Sequence, residues 1–72
     1  MTHYRNTGGN SGVAGYEIGD DYIVVAFSGG GTYTYSYRSA GMANVETMKR
    51  LATRGSGLNS FINTTVKFNY ER

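Results

Sequence analysis

The stretch SGGGTYTYSYR, from Ser28 to Arg38, decides how this chain folds, because a run of glycines leads directly into tyrosines at every second position. Alternation with a period of two is typical of a β-strand, in which Tyr33, Tyr35 and Tyr37 point to the same face. The sequence therefore predicts an aromatic strand. It leaves open whether the aromatic face belongs to the core or is a surface offered to a partner.

The length of the glycine loop sets the face on which these tyrosines lie. If the loop has three residues, 29–31, Phe27 pairs with Tyr33 and Val25 pairs with Tyr35, so that the tyrosines join the apolar face of the preceding strand. If the loop contains only the first two glycines, the register slips by one residue and the whole row moves to the other face of the sheet. A difference of one residue in the loop thus decides whether the tyrosines lie in the core or form an exposed aromatic surface.

We predict the three-residue loop, because the chain has only two leucines and three isoleucines and must recruit aromatic rings to its core. Tyr35 is then expected in the core, packed against a helix. Tyr33 and Tyr37 are expected at the rim, where their hydroxyls reach water or a backbone partner.

A chain of 72 residues forms one domain, and a domain of this size buries only about 60% of the surface that its unfolded chain exposes. It has no cysteine, so neither disulfides nor thiolate zinc sites are expected to supplement the core. The longest strongly apolar run, 22–27, is far shorter than the roughly 20 residues of a membrane-spanning helix. The N-terminus lacks the apolar region of a secretory signal, and we expect a cytoplasmic protein.

Two segments ahead of the glycines, 13–19 and 22–28, alternate in the same way. Their apolar residues fall on one face of each strand: Ala14, Tyr16 and Ile18 in the first, and Ile23, Val25 and Phe27 in the second. A two-residue turn, at Gly19-Asp20 or at Asp20-Asp21, places the two apolar sets on the same side of the sheet.

The first twelve residues are polar and rich in glycine, with no apolar period. They predict a mobile tail at 1–12, ahead of a single domain at 13–72.

Beyond the tyrosines the apolar spacing becomes helical over 44–54. Asn44 is the predicted N-cap and Gly55 ends the helix after basic residues that suit its negative end. The last segment is ambiguous. We favour a short helix at 59–66, and a final strand at 65–70 is the alternative.

The predicted fold is therefore α+β: a three-stranded antiparallel β-meander, at about 13–18, 22–28 and 32–38, packed against one or two C-terminal helices, at about 44–54 and 59–66. The residues expected in its core are Tyr16, Ile23, Val25, Phe27, Tyr35, Val45, Met48, Leu51 and Phe61.

The order of these elements resembles the KTSC domain, a short bacterial module found alone or at the C-terminus of some lysyl-tRNA synthetases. The residues that carry the likeness are, in order, Tyr16-Glu17, Val25 and Phe27, a glycine, Tyr33-x-Tyr35 and Asn63-x-x-Val66-Lys67-x-x-Tyr70. The likeness spans most of 13–70. That family often has a proline soon after Y-x-Y and a Ser-x-Gly before the last helix, whereas this chain has no proline and has Ser56 directly before Gly57.

The resemblance implies a small bacterial or phage protein from a family of unknown function. It points to RNA only through the members that are joined to a synthetase.

Catalysis, metals and cofactors find little support in the sequence. His3 is the only histidine and lies in the expected tail, so a Ser/His/Asp arrangement would need that tail to fold back. Asp20 and Asp21 point to opposite faces, and no ligands follow at calcium-loop spacing. The glycine run lacks the Gly-Lys-Ser/Thr ending of a phosphate-binding loop. We expect a protein that is not an enzyme and that binds no cofactor or metal.

Basic residues are concentrated in the second half of the chain. Residues 1–37 contain one arginine and three acidic residues, whereas 38–72 contain six basic and two acidic residues. Aromatic rings stack on bases and basic side chains contact phosphates. The leading hypothesis is a small RNA-binding module, or one for another nucleic acid, with contacts from Tyr33, Tyr37, Arg38, Lys49, Arg50, Arg54 and Lys67.

The alternative hypothesis is a protein adaptor or a self-associating domain. In a three-stranded meander the segment 32–38 forms an edge, whose unpaired backbone groups invite another strand. Dimerisation through that edge would also enlarge the small core.

Overall fold

The computed structural model describes residues 1–5 and 12–71 of the chain. They form an α+β fold with an antiparallel sheet of four strands: β1 Thr2–His3, β2 Val13–Ile18, β3 Tyr22–Phe27 and β4 Thr32–Ser36. Three helices follow, α1 Tyr37–Ala40, α2 Met42–Arg54 and α3 Leu58–Phe61, and α3 continues as the π-helix Ile62–Val66. The strand order is β1-β2-β3-β4. The α+β meander is confirmed, but the sequence prediction of three strands is short by one.

The additional strand lies where the sequence predicted a mobile tail. Thr2 pairs with Tyr16, and the Tyr4 N–H donates to the Ala14 carbonyl at 3.0 Å. The Tyr4 ring is only 1% exposed, so it belongs to the core. The tail prediction is therefore wrong for the first five residues. It is also wrong for Gly12, whose carbonyl accepts from the Ser28 N–H and hydroxyl. The rest of the predicted tail, 6–11, lies outside the described residues. Tyr4 is the only aromatic residue in a polar stretch, and one such residue was too weak a signal to predict a strand. A domain this small nevertheless needs aromatic rings to fill its core.

A β-bulge at the start of β2 changes which of its residues face the core. Val13 pairs with Phe27 and Gly15 with Ala26, so Ala14 is an extra residue on its strand. As a result Val13 is buried and Ala14 is exposed, which is the reverse of what simple alternation predicted. The same prediction places Ile18 inward, yet it is 42% exposed.

The turn between β2 and β3 has the two-residue form that was expected. The Gly19 N–H donates to the Tyr22 carbonyl at 3.0 Å, so Asp20 and Asp21 form the turn. Tyr16 lies opposite Val25 in this register, and both are buried on the helical side of the sheet.

The loop between β3 and β4 has three residues, as predicted, but begins one residue earlier. The Phe27 N–H donates to the Gly31 carbonyl at 3.0 Å, which leaves 28–30 as the loop. Val25 therefore lies opposite Tyr33, and by the same register Ile23 lies opposite Tyr35. The predicted partners, Phe27 with Tyr33 and Val25 with Tyr35, are wrong by two residues. Because two is the period of a strand, the tyrosines still lie on the core face.

Strand β4 ends at Ser36, two residues before the predicted end at 38. The Ser36 hydroxyl accepts from the Ser39 N–H at 3.1 Å, and the Ser39 hydroxyl accepts from the Ser36 N–H at 3.0 Å. This reciprocal capping box starts α1. Tyr37 therefore lies on a helix and not on the aromatic strand.

Helix α2 begins two residues before the predicted N-cap. Gly41, at φ 95°, joins it to α1, and the Asn44 carboxamide donates to the Ala40 carbonyl at 2.9 Å. Asn44 thus satisfies the end of the preceding helix instead of starting its own. The C-terminal prediction is confirmed, since Gly55 adopts the left-handed conformation and its N–H donates to the Leu51 and Ala52 carbonyls.

The last helix runs over 58–66, close to the predicted 59–66. A residue far away in the sequence accepts a hydrogen bond from the first turn of this helix: the Leu58 N–H donates to the Tyr4 hydroxyl at 3.3 Å. The alternative strand at 65–70 does not form. One sheet-like bond remains, from the Glu71 N–H to the Thr34 carbonyl at 2.6 Å.

The core lies between the sheet and the helices. Six of the nine residues expected there are buried, and the other three, Phe27, Leu51 and Phe61, are partly buried against it. The sequence list lacked seven further buried hydrophobic residues: Tyr4, Val13, Ala40, Ala52, Leu58, Ile62 and Val66. Within residues 1–5 and 12–71, none of the helices has the length and apolar character needed to cross a bilayer.

The glycine loop provides a matched test of the β3–β4 register. Gly30 has φ 104° with free space around it, and Gly29 has free space without a positive φ. Gly30→Ala should lower the free energy of unfolding by about 1–2 kcal/mol through backbone strain alone. Gly29→Ala should leave it unchanged or slightly raised. Urea unfolding of the two variants measures both values, and equal effects would contradict this loop geometry.

The hydroxyl of Tyr4 provides a second test, of whether the first residues belong to the fold. Tyr4→Phe removes the acceptor of the Leu58 N–H and should destabilise the domain by about 1–2 kcal/mol. Tyr22→Phe is the matched control, because the Tyr22 hydroxyl makes no hydrogen bond within the described residues. If thermal unfolding shows the same midpoint for both variants, Tyr4 does not hold α3.

Candidate functional site

The candidate site is an open groove of about 340 Å³ between the β3–β4 hairpin and the last helix. β4 supplies every second residue to one wall, and the π-helix and the turn after it supply the other. The lining residues are Phe27, Gly30, Tyr33, Tyr35, Ile62, Asn63, Lys67, Phe68 and Tyr70. Small-molecule sites have this mixture of many apolar groups and few polar ones, and the groove is at the lower end of their usual size.

Aromatic rings form most of the groove and contact one another. The Tyr33 and Tyr70 ring centroids are 4.7 Å apart with a tilt of 47°, and Phe27 meets Tyr33 edge to face at 5.7 Å. Tyr35 and Tyr70 are perpendicular at 6.3 Å. Such pairs hold each ring in a fixed orientation. Tyr33 is 38% exposed and Phe68 65% exposed, so these two rings present aromatic surface to a ligand.

Tyr35 lies at the base of the groove and belongs to the core, as predicted, since it is 1% exposed. Burial, and to a smaller degree the neighbouring Tyr33 and Tyr70 hydroxyls, raise the pKa of Tyr35 to about 12. The hydroxyl therefore stays neutral at any physiological pH.

Two polar side chains complete the groove. Asn63 and Lys67 are four residues apart on adjoining turns and both line it. The Lys67 ammonium lies 5.5 Å from the Phe68 ring centroid, within the range of a cation–π contact. None of the described residues that line the groove is acidic. The groove is thus aromatic with a positive rim.

The structure separates Tyr37 and Lys49 from this groove. The Tyr37 hydroxyl donates to Glu46 at 2.5 Å, and the Lys49 ammonium lies 2.8 Å from the same carboxylate. These hydrogen bonds raise the pKa of Tyr37 and of Lys49 and lower the pKa of Glu46. Lys49 also donates to the Asp20 carbonyl at 2.9 Å and lies over the Tyr37 ring. Both predicted contact residues are engaged within the fold.

The predicted arginines lie in two other places. Arg38 is 90% exposed and lies 3.9 Å from Glu71, beside β4. Arg50 and Arg54 are exposed on α2, and within the described residues neither is paired with a carboxylate. Of the seven predicted contact residues, the structure therefore brings only Tyr33 and Lys67 together in the groove.

Sequence reasoning missed several groove residues, above all Phe68 and Tyr70. Both follow the last helix and fit neither the helical spacing nor a strand that forms. That misfit is the signal that could have found them, because large rings outside any amphipathic pattern are candidates for binding. It also missed the structural role of Arg5, whose guanidinium donates to the Thr53 and Arg54 carbonyls at the end of α2.

The other residues considered for catalysis or metal binding do not come together in a site. His3 lies exposed on β1, and the Asp20-Asp21 pair forms a turn. Among the described residues, no group of three histidine, cysteine or acidic side chains is placed to hold a metal ion.

No family model, no curated protein and no solved structure matches the chain. The resemblance to the KTSC domain stays a prediction.

The raised pKa of Tyr35 predicts a loss of stability in alkali. In the unfolded chain this hydroxyl ionises near pH 10, whereas in the folded protein it stays neutral until about pH 12. The unfolded state therefore loses its proton first, and stability falls as the pH rises from 10 towards 12. The variant Tyr35→Phe lacks this pH-dependent contribution to stability. It keeps the other tyrosines, so a comparison with the wild type removes the effect of their ionisation.

The measurement is the free energy of unfolding in urea between pH 9 and pH 11.5. The wild type should lose stability relative to Tyr35→Phe across this range. A difference between them that is independent of pH would show that Tyr35 titrates alike in both states.

Proposed function

We propose that the protein is a small non-enzymatic module that binds single-stranded nucleic acid, RNA in particular, by stacking a base in the aromatic groove. The observation that carries this proposal is the exposure of the Tyr33 and Phe68 rings beside Lys67, with no acidic residue among the described residues that line the groove. Stacking of a base on an aromatic ring contributes about 1–3 kcal/mol and tolerates different bases.

Charge around the groove supports an anionic ligand. Lys67 lies at its rim, and Arg38, at the start of α1, is nearly fully exposed although its guanidinium lies 3.9 Å from the Glu71 carboxylate. Exposed cations of this kind contact phosphates and release counterions from the nucleic acid. Arg50 and Arg54 on α2 would serve a longer strand that continues beyond the groove.

The proposed platform differs from the row of three tyrosines that the sequence suggested. Tyr35 is buried and the Tyr37 hydroxyl is bound to Glu46, which leaves Tyr33 as the available ring of the three. Phe68, on the opposite wall, replaces the other two as a stacking surface. One base in a groove is therefore a better description than three bases on a strand.

The preference for RNA over DNA rests on the resemblance to the KTSC domain, some members of which are joined to lysyl-tRNA synthetases. That resemblance is part of the proposal, as is the cytoplasmic location of a bacterial or phage protein.

The adaptor hypothesis has less support. The adaptor hypothesis requires β4 to be an edge strand, and it is one. The Thr34 carbonyl on that edge, however, already accepts a hydrogen bond from the Glu71 N–H. A partner strand would have to displace this contact.

The test is fluorescence anisotropy with a labelled 12-nucleotide RNA of mixed sequence at low salt. Tyr33→Leu keeps an apolar side chain but removes the stacking surface, and should weaken binding about 5- to 100-fold. Lys67→Ala should weaken binding. It should also reduce the slope of the logarithm of the binding constant against the logarithm of salt concentration by about 1, the value for one phosphate contact.

Lys49→Ala is the matched control for Lys67→Ala. It removes a lysine that Glu46 already holds, so RNA affinity should be nearly unchanged once folding is verified by circular dichroism. The proposal fails if the wild type does not bind the single strand. It also fails if the lysine variants lose affinity equally, because binding would then follow net charge and not the groove.

A further inference from the structure

The last two described residues, Tyr70 and Glu71, contact β4, and Glu71 lies at the outer edge of the strand. The Glu71 N–H donates to the Thr34 carbonyl, and the Glu71 carboxylate accepts from the Ser36 hydroxyl. The same carboxylate lies 3.9 Å from the Arg38 guanidinium. Backbone and side chain of one glutamate thus contact two residues of β4, Thr34 and Ser36, and Arg38 on α1.

Tyr70 connects this edge to the groove. It directly precedes Glu71, and its ring packs against Tyr33 at 4.7 Å and against Tyr35 at 6.3 Å. It is also one of the lining residues of the groove. The position of one groove wall therefore depends on how the next residue is anchored to β4.

We propose that residues 69–71 form a strap that closes the β4 edge and completes the groove, and that Glu71 is the positioning residue that holds Tyr70 in place. The effect of the strap on ligand affinity rests on the function proposed above. The anchoring of the strap does not, since it is a property of the free protein.

The Glu71 contacts that hold the strap are of unequal strength. The hydrogen bond from the Ser36 hydroxyl to a carboxylate is of the stronger, charge-assisted kind. The ion pair with Arg38 involves a nearly fully exposed partner and contributes little. A short segment at the sheet edge, whose residues are exposed or partly buried, opens more easily than the core. Opening would remove Tyr70 from the groove and free the Thr34 carbonyl for another strand.

Three variants separate the anchor from general charge effects. Glu71→Ala removes the carboxylate and keeps the backbone N–H. Glu71→Gln keeps an oxygen that accepts from Ser36 but loses the ion pair and the negative charge of the acceptor, so it should restore most of the strap. Glu17→Ala is the matched control, because Glu17 is an exposed glutamate on β2, two strands from the strap.

The first readout is made without ligand. In the wild type the Tyr70 ring should shift the NMR signals of the Tyr33 and Tyr35 ring protons, because it packs against both. The amide of residue 71, which donates to the Thr34 carbonyl, should be protected from hydrogen exchange. Glu71→Ala should move these signals towards the values of free tyrosine. It should also speed exchange at residue 71 about tenfold, after correction for the intrinsic rate. Glu71→Gln and Glu17→Ala should resemble the wild type.

The second readout is affinity for the labelled 12-nucleotide RNA, which Glu71→Ala should lower about tenfold and Glu71→Gln should restore. Unchanged ring signals in Glu71→Ala would overturn the strap, whatever the RNA result. Displaced ring signals with unchanged RNA affinity would overturn its role in the groove. If the signals move but the wild type binds no RNA, the anchor is supported and the proposed function is the part that fails.

Discussion

The pairing of β3 with β4 is the constraint on which the rest of the structure depends. The loop 28–30 fixes that pairing, and through it the face on which Tyr33 and Tyr35 lie. Side chains alternate along a strand, so a change of one residue in the loop would expose the largest rings of a domain that has little else to bury. Gly30 and Gly31, which both have positive φ, allow the chain to turn in this register.

The three alternating tyrosines have three different roles because the strand ends before the pattern does. Tyr35 fills the core, Tyr33 forms part of the groove, and Tyr37 lies on α1, where Glu46 binds its hydroxyl. The capping box of Ser36 is responsible, since it converts an expected strand end into a helix start. The position of each tyrosine therefore depends on where the strand ends and the helix begins, and not on the alternating pattern alone.

Sequence periodicity predicted the α+β meander, a two-residue turn at Gly19-Asp20 or Asp20-Asp21, of which the second forms, and the helix end at Gly55, because each depends on neighbouring residues. It did not predict β1, whose pairing depends on a single buried ring, Tyr4, that packs against residues distant in the chain. It also missed the groove. Tyr33 and Lys67 were identified separately, but Phe68 and Tyr70 follow no period, and only the tertiary fold brings them to β4.

The most direct test of the account is the pattern of NOEs between α-protons across β3 and β4. Val24 and Thr34 lie opposite each other as a pair without mutual hydrogen bonds, where α-carbons approach to about 4.5 Å. The account predicts a strong NOE between the α-protons of Val24 and Thr34. A strong NOE from Thr34 to Ala26 would contradict it by placing the loop at 29–31, and one to Val25 would place the tyrosines on the opposite face.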